Sequence, residues 1–165
     1  MDYPRSVQKV VRALQAQGHS GLPTMLDDAA RTAQQAADGL GVALGQIAKS
    51  IIFKREPDDV QVLVVTAGDR RVDAAKVGAL VCGDGQALAR ADAACVRART
   101  GFAIGGVPPV AHAEAGVVVL DASLQRFALL WAAAGHPHSV FPLSPADLVR
   151  LTGAAFVDVV EEDGA

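Results

Sequence analysis

Apolar positions along this chain recur with two spacings, and each spacing marks out its own elements. Val7, Val10, Val11 and Leu14 follow the repeat of an amphipathic helix, which predicts one from about Ser6 to Gln17 that stops near Gly18. A Gly/Pro-marked connection and the short apolar stretch Met25-Leu26 come next. Thr32-Ala33-Gln34-Gln35 then has the hydroxyl-to-amide spacing of a capping box, which opens a second helix ending at Gly41. Ile51-Ile52-Phe53 and Val60-Gln61-Val62-Leu63-Val64-Val65 are rich in strand formers. The charged turn Arg55-Glu56-Pro57-Asp58-Asp59 between them predicts an antiparallel hairpin.

Beyond the hairpin, Gly68-Asp69 turns the chain. The spacing predicts helices over Asp73 to Val81 and Ala91 to Arg99, then buried strands over Gly116 to Leu120 and Phe127 to Trp131, with Asp121-Ala122-Ser123 as the turn between them. Ser144-Pro145-Ala146-Asp147 places an N-cap, a proline at the first helical position and an acid in the first turn ahead of Leu148-Val149 and Leu151, with Gly153 as the stop. A last strand is expected over Ala155 to Val160. No repeat or linker divides the chain, so residues 1–165 are expected to form a single domain of mixed α/β class.

Composition narrows the function classes. Apolar residues make up 51% of the chain and charged residues 20%, the balance of a folded globular protein rather than a disordered one. No window of ~20 uninterrupted apolar residues could span a bilayer, and the chain opens on an amphipathic pattern, so a cytoplasmic protein without a membrane partner is expected. In that compartment the two cysteines, Cys82 and Cys95, are expected as reduced thiols. A net charge of −3 argues against tight non-specific binding to DNA or RNA, which needs many Lys and Arg contacts to phosphates, but leaves room for a brief, local RNA contact.

Three features carry candidate chemistry. Thr100-Gly101-Phe102-Ala103-Ile104-Gly105-Gly106-Val107-Pro108-Pro109 is a glycine-rich loop stopped by two prolines. Glycine lets a ligand approach the main chain and proline fixes φ, a combination suited to an oxyanion site built from backbone N–H donors; the plain alternative is a structural turn. Lys49 sits inside the apolar run Ile47 to Phe53, where its charge either snorkels to water or projects into a cleft to bind an anionic group. His112, His136 and His138 lack zinc-type spacing, and Ser50, Ser123 and Ser139 lack a nucleophile-elbow context, so neither a metal site nor a serine triad is expected.

The ordered series Arg31-Thr32-Ala33, Gln46 to Lys54, Ala67-Gly68-Asp69-Arg70-Arg71-Val72-Asp73, Thr100-Gly101-Phe102, Gly105 to Pro109, Val119-Leu120-Asp121 and Leu143 to Leu148 resembles the YbaK-type aminoacyl-tRNA deacylases, relatives of the editing insertion domain of bacterial prolyl-tRNA synthetase. The resemblance covers nearly the whole chain. It implies a mixed, barrel-like β-sheet flanked by helices, and a cleft between the lysine strand and the G-x-x-x-P loop. Lys49 would then be the essential lysine, and Gly105 and Gly106 would belong to a catalytic loop that positions the ester and a water with help from the terminal ribose hydroxyls. Thr32, Gly101, Pro108, Pro109, His112, Asp121 and Gly135 would lie among the substrate-binding residues.

The activity implied is hydrolysis of a mischarged tRNA's ester, with the tRNA acceptor end as partner, a synthetase as a further one, and no cofactor. The alternative is a regulatory module that binds aminoacyl-tRNA or a synthetase without hydrolysis. An ordinary lysine, titrating near ~10.4, is a cation at neutral pH, so Lys49 is expected to bind and stabilise charge, not to act as a base. Cysteine-directed relatives show Ser-Gly-Gly and a later Asp where this chain has Ala133-Ala134-Gly135 and Val140. With Met25, Phe53, Ile104 and Val107 as apolar walls, a small uncharged amino acid on tRNA(Pro), alanine first, is the expected substrate.

Overall fold

Capping chemistry sets the helix boundaries in the computed structural model, which describes residues 3–27 and 32–162. Arg31 of the family pattern lies outside them. Helix α1 (Arg5–Ala16) buries Val7, Val10 and Leu14. In α2 (Ala33–Leu40) the Thr32 hydroxyl accepts from the Gln35 N–H at 3.1 Å while the Gln35 amide oxygen accepts from the Thr32 N–H, and Gly41 closes the helix at φ +69°. The Asp73 and Asp92 carboxylates cap α3 (Ala74–Val81) and α4 (Ala93–Thr100), so both helices start later than their apolar patterns suggest. Helix α5 (Pro145–Thr152) has the reciprocal Ser144/Asp147 cap.

Eight strands form one mixed sheet: β1 (Thr24–Met25), β2 (Ile47–Glu56), β3 (Val60–Ala67), β4 (Ala87–Arg90), β5 (Val117–Asp121), β6 (Leu130–Ala133), β7 (Ser139–Leu143) and β8 (Phe156–Val157). Their order is β1-β7-β6-β2-β3-β5-β8, with β4 on the edge of β2. The expected hairpin is β2 with β3, antiparallel from Ala48↔Ala67 to Arg55↔Val60; β6 joins β2 in parallel and β5 joins β3 in parallel. β3 reads as an unbroken apolar run because the sheet is covered on both faces. Leu63 and Val65 enter the main core with Leu14, Phe102, Leu120 and Phe141, while Val62 and Val64 meet Val77 and Val119 on the other side.

Several strands differ from the sequence pattern, β2 among them, which runs from Ile47 to Glu56 around the expected Ile51 to Phe53. The expected strand Phe127 to Trp131 starts at Leu130, because Asp121 caps a short 3-10 turn (Ala122–Arg126) whose closing residue is Phe127. β7 was not expected: Pro142 interrupts its strand pattern, yet pairs with Trp131. β4 was not expected either, since its four residues alternate weakly and are held mainly by pairing with Phe53 to Glu56. The last strand shrinks to β8 plus a lone bridge between Val72 and Val160. Among the described residues no helix is long and apolar enough to cross a membrane, and both cysteines are free.

Candidate active site

The floor of the site is a gap in the sheet. β6 pairs with β2 only at Ile47 and Ala48, and β4 only from Phe53 onward, so the edge of β2 between them has no neighbouring strand. A cavity of about 270 Å³ fills the gap, lined by Lys49 and Ser50 of β2, Ala36 of α2 and its cap Thr32, Ile104, Gly105 and Val107 of the glycine loop, and Ser139 and Val140 of β7. The lining among the described residues contains no carboxylate, histidine or cysteine. Its polar groups are the Lys49 and Arg90 cations and the hydroxyls of Thr32, Ser50 and Ser139, of which the last two are buried with no hydrogen-bond partner.

Lys49 pairs across the hairpin with Thr66 and borders both this cavity and a wider groove that contains Thr66, Asp69, Arg71 and Arg90. Its side chain is half-buried and has no ion-pair partner among the described residues. The nearby carboxylate of Asp69 is engaged by Arg126, at 2.7 and 2.9 Å. Burial pushes the Lys49 pKa down from 10.5, and repulsion from Arg71 and Arg90 pushes it the same way against the weaker pull of Asp69. A cation held among cations is arranged to receive an anion or a developing negative charge.

Thr100 and Gly101 anchor the glycine loop. The Thr100 hydroxyl bonds the Val96 carbonyl at 2.8 Å and accepts from the Phe102 N–H at 3.0 Å, and Gly101 caps α4 at φ +84°. Farther on, His112 bridges the loop to β3: Nε2–H donates to the Pro108 carbonyl at 2.6 Å, and Nδ1 accepts from the Gln61 amide at 3.0 Å. Burial lowers the His112 pKa, in keeping with a neutral ring in that tautomer. Pro108 and Pro109 are buried beneath the loop. Gly101, Pro108, Pro109 and His112 therefore shape the loop from behind and do not line the cavity.

The two central glycines have different duties. The Gly106 N–H donates to the Ala103 carbonyl at 3.0 Å and the Gly106 carbonyl accepts from the Gly135 N–H at 2.9 Å, so Gly106 is not the open donor that the sequence suggests. A Cβ on Gly106 would stand 2.9 Å from the His136 backbone, and one on Gly135 would stand 2.5 Å from the Ser6 carbonyl oxygen. These two glycines are a backbone crossing that presses the loop against the β6–β7 connection. Gly105, at φ +93°, faces the cavity, and among the described residues neither its N–H nor that of Val107 has a hydrogen-bond acceptor.

Two of the expected wall residues and one polar residue lie elsewhere. Phe53 is on the same face of β2 as Lys49 and Ile51 but packs with Val62 and Val77 and borders the wider groove instead of this cavity. Met25 pairs with Ser139 at the sheet edge without lining the cavity. Asp121 is fully buried: it accepts from the Thr66 hydroxyl, the Ala67 N–H, and the Ser123 N–H and hydroxyl at 2.6–3.0 Å. It clamps the strand end opposite Lys49 instead of meeting a ligand. Sequence reasoning had no signal for Ser139 or Arg90 as lining residues, since β7 and the β4 register bring them in.

Comparison with known proteins gives one answer. The aminoacyl-tRNA editing domain pattern matches residues 27–151. The chain is 34% identical over 140 residues to the uncharacterized protein YwhH of Bacillus subtilis (strain 168), covering 84% of this chain and 87% of that one. A solved structure described as a candidate trans-editing enzyme for prolyl tRNA synthetase superposes with a TM-score of 0.90 at 37% identity, covering 98% of this chain and 100% of its own. A further structure, from work on presenting grafted linear epitopes on scaffold proteins, has a TM-score of 0.91 at 36% identity, covering 97% of this chain and all 100% of its own.

Proposed function

Since this chain belongs to the aminoacyl-tRNA editing domain family of YbaK-type deacylases, we propose that it hydrolyses in trans the ester of tRNA(Pro) carrying a small, uncharged amino acid. The observation that carries the proposal is the cavity itself, which in about 270 Å³ joins apolar walls to a cation and two backbone donors that have no partner among the described residues. The ester carbonyl sits toward the Gly105 and Val107 N–H groups, which stabilise the oxyanion formed when water adds to the carbonyl carbon. Lys49 holds the terminal phosphate or the same oxygen as a cation. With no acid or base among the described lining residues, the vicinal ribose hydroxyl relays the proton of the attacking water to the departing ribose oxygen.

Lys49 acts as a cation, so activity belongs to its protonated form. Because its pKa is pushed below 10.5, deacylation corrected for spontaneous hydrolysis is expected to fall with rising pH along a limb centred below that value. A rate that holds constant through pH 10.5 would remove Lys49 from the charge-stabilising role.

Specificity follows from size. Ala33, Ala36, Ile104, Val107 and Val140 wall the cavity, and Ser50 and Ser139 add hydroxyls that tolerate a hydroxylated side chain. An apolar wall discriminates one methylene by only ~1–3 kcal/mol, so alanyl-tRNA(Pro) is expected to react fastest and seryl-tRNA(Pro) within about a hundredfold of it. The proline ring is excluded by Val107, which Pro108 and Pro109 hold rigid. Rates for alanyl-, seryl-, cysteinyl- and prolyl-tRNA(Pro) at equal concentration test this. Preference for cysteine or proline overturns the pocket assignment, and binding without any turnover shows the regulatory module instead.

A further inference from the structure

The gap beside β2 leaves one residue with its main chain unanswered. In an antiparallel ladder the N–H and C=O of successive residues point alternately to one neighbour and to the other. The Ile47 carbonyl accepts from the Gly68 N–H at 2.8 Å and so faces the β3 side, whereas the Ile52 carbonyl accepts from the Ala91 N–H at 3.1 Å and faces the opposite side. By that alternation Ala48, Ser50 and Ile52 all direct their peptide groups away from β3. Ala48 is met by β6, and the Ile52 carbonyl by Ala91. Ser50 falls between them, and among the described residues nothing bonds its N–H or its C=O.

Ser50 lines the cavity and is half-buried, and among the described residues its hydroxyl is also without a partner. Inside folded proteins, backbone groups are nearly always paired, and an open pair in the middle of a central strand is a vacancy for another main chain. An aminoacyl ester carries the matching groups, an amine donor and a carbonyl acceptor on either side of one Cα. We infer that the Ser50 peptide groups dock the main chain of the aminoacyl moiety: the Ser50 C=O accepts from the substrate's α-amino group and the Ser50 N–H donates to its ester carbonyl, as a strand edge receives one residue of an added strand.

This rests on an aminoacyl ester being the ligand, and it names what is recognised apart from the side chain: a free α-amino group. Esters whose nitrogen is absent or blocked are refused, and the apolar walls then sort the admitted aminoacyl groups by size. The hydrogen bond from the amine substitutes for the strand partner that β2 lacks at this register, so it forms in the same place for every small amino acid.

The test uses two non-hydrolysable mimics of the acceptor end, 3′-alanylamino-3′-deoxyadenosine and its propionyl counterpart, which differs only in lacking the amine. Titrated into the full chain, the alanyl mimic is expected to bind at least about tenfold more tightly, since an unmet polar group in the site penalises the analogue that lacks its partner. It should also shift the Ser50 amide resonance in a nitrogen–proton correlation spectrum. Ser50→Ala keeps both peptide groups and is expected to preserve the preference to within about threefold. Equal affinities, an unmoved Ser50 amide at saturation, or a preference that disappears in Ser50→Ala overturns the inference. If the preference holds but no mischarged tRNA is hydrolysed, the deacylase reading falls and the docking site stands.

Discussion

Lys49→Ala is expected to lower kcat/KM for the mischarged tRNA by ~10²-fold or more, the scale on which loss of one preorganised charge-stabilising group is felt. The fold should be undisturbed. Lys49 has no ion-pair partner among the described residues to strand, and it stands among Arg71 and Arg90 with its pKa lowered first by burial and then by their repulsion. A lysine whose pKa falls on folding opposes the folded state fully at pH below the lowered value, and the opposition disappears as pH rises through the unfolded-state value. At neutral pH the alanine variant therefore removes a destabilising charge, and its urea midpoint is expected at or above that of the parent. Lys49→Arg should also be poor, since a planar fork does not replace a compact ammonium. Turnover of the alanine variant within a few-fold of the parent, measured beside its urea midpoint, removes Lys49 from the mechanism.

Gly106→Ala is expected to be the most damaging change in the loop, with ~10²-fold loss of kcat/KM and ~1–3 kcal/mol of destabilisation, the usual cost of forcing atoms into a packed contact. The added methyl would lie 2.9 Å from the N, Cα and C atoms of His136, and backbone cannot swing aside as a side chain can. Relief requires the loop to lift from the β6–β7 connection, breaking the bond from the Gly135 N–H to the Gly106 carbonyl and displacing the Gly105 and Val107 donors. Gly105→Ala is a sharper probe of the backbone alone. Its Cβ has room, with the nearest atom of Pro137 at 3.8 Å, but φ is +93°, so the cost is conformational. Full turnover in both variants, read with urea midpoints, would make the loop a structural turn and nothing more.

What could be read along the chain were the features whose partners are near in sequence. The Thr32/Gln35 and Ser144/Asp147 boxes and the stops at Gly41 and Gly153 are each satisfied within a few residues, so spacing is enough to reveal them. The β2–β3 hairpin is legible for the same reason, and its continuous apolar partner strand announces burial on both faces. Lys49 stood out as a charge in an apolar run, although its role came from the family pattern and not from spacing. The α/β class, the family and the ordered pair of lysine strand and Gly-Pro loop were therefore written in the residues themselves.

Only the tertiary structure decided which backbone and side-chain groups remain free to meet a ligand. Asp121 bears a carboxylate in a family motif, yet its acceptors are consumed by Thr66, Ala67 and Ser123. Gly106 belongs to the expected oxyanion loop, yet its N–H is spent on Ala103, while those of Gly105 and Val107 meet no acceptor among the described residues. Phe53 is apolar and shares the Lys49 face of β2, yet it packs with Val62 and Val77 and borders the wider groove, outside the cavity. Ser50 had no distinction until the registers of β4 and β6 left it without a neighbour. The physical reason is common to all four: whether a polar group is satisfied, and which cavity a side chain borders, depend on pairing between segments far apart in the chain, and that pairing is absent from any local window.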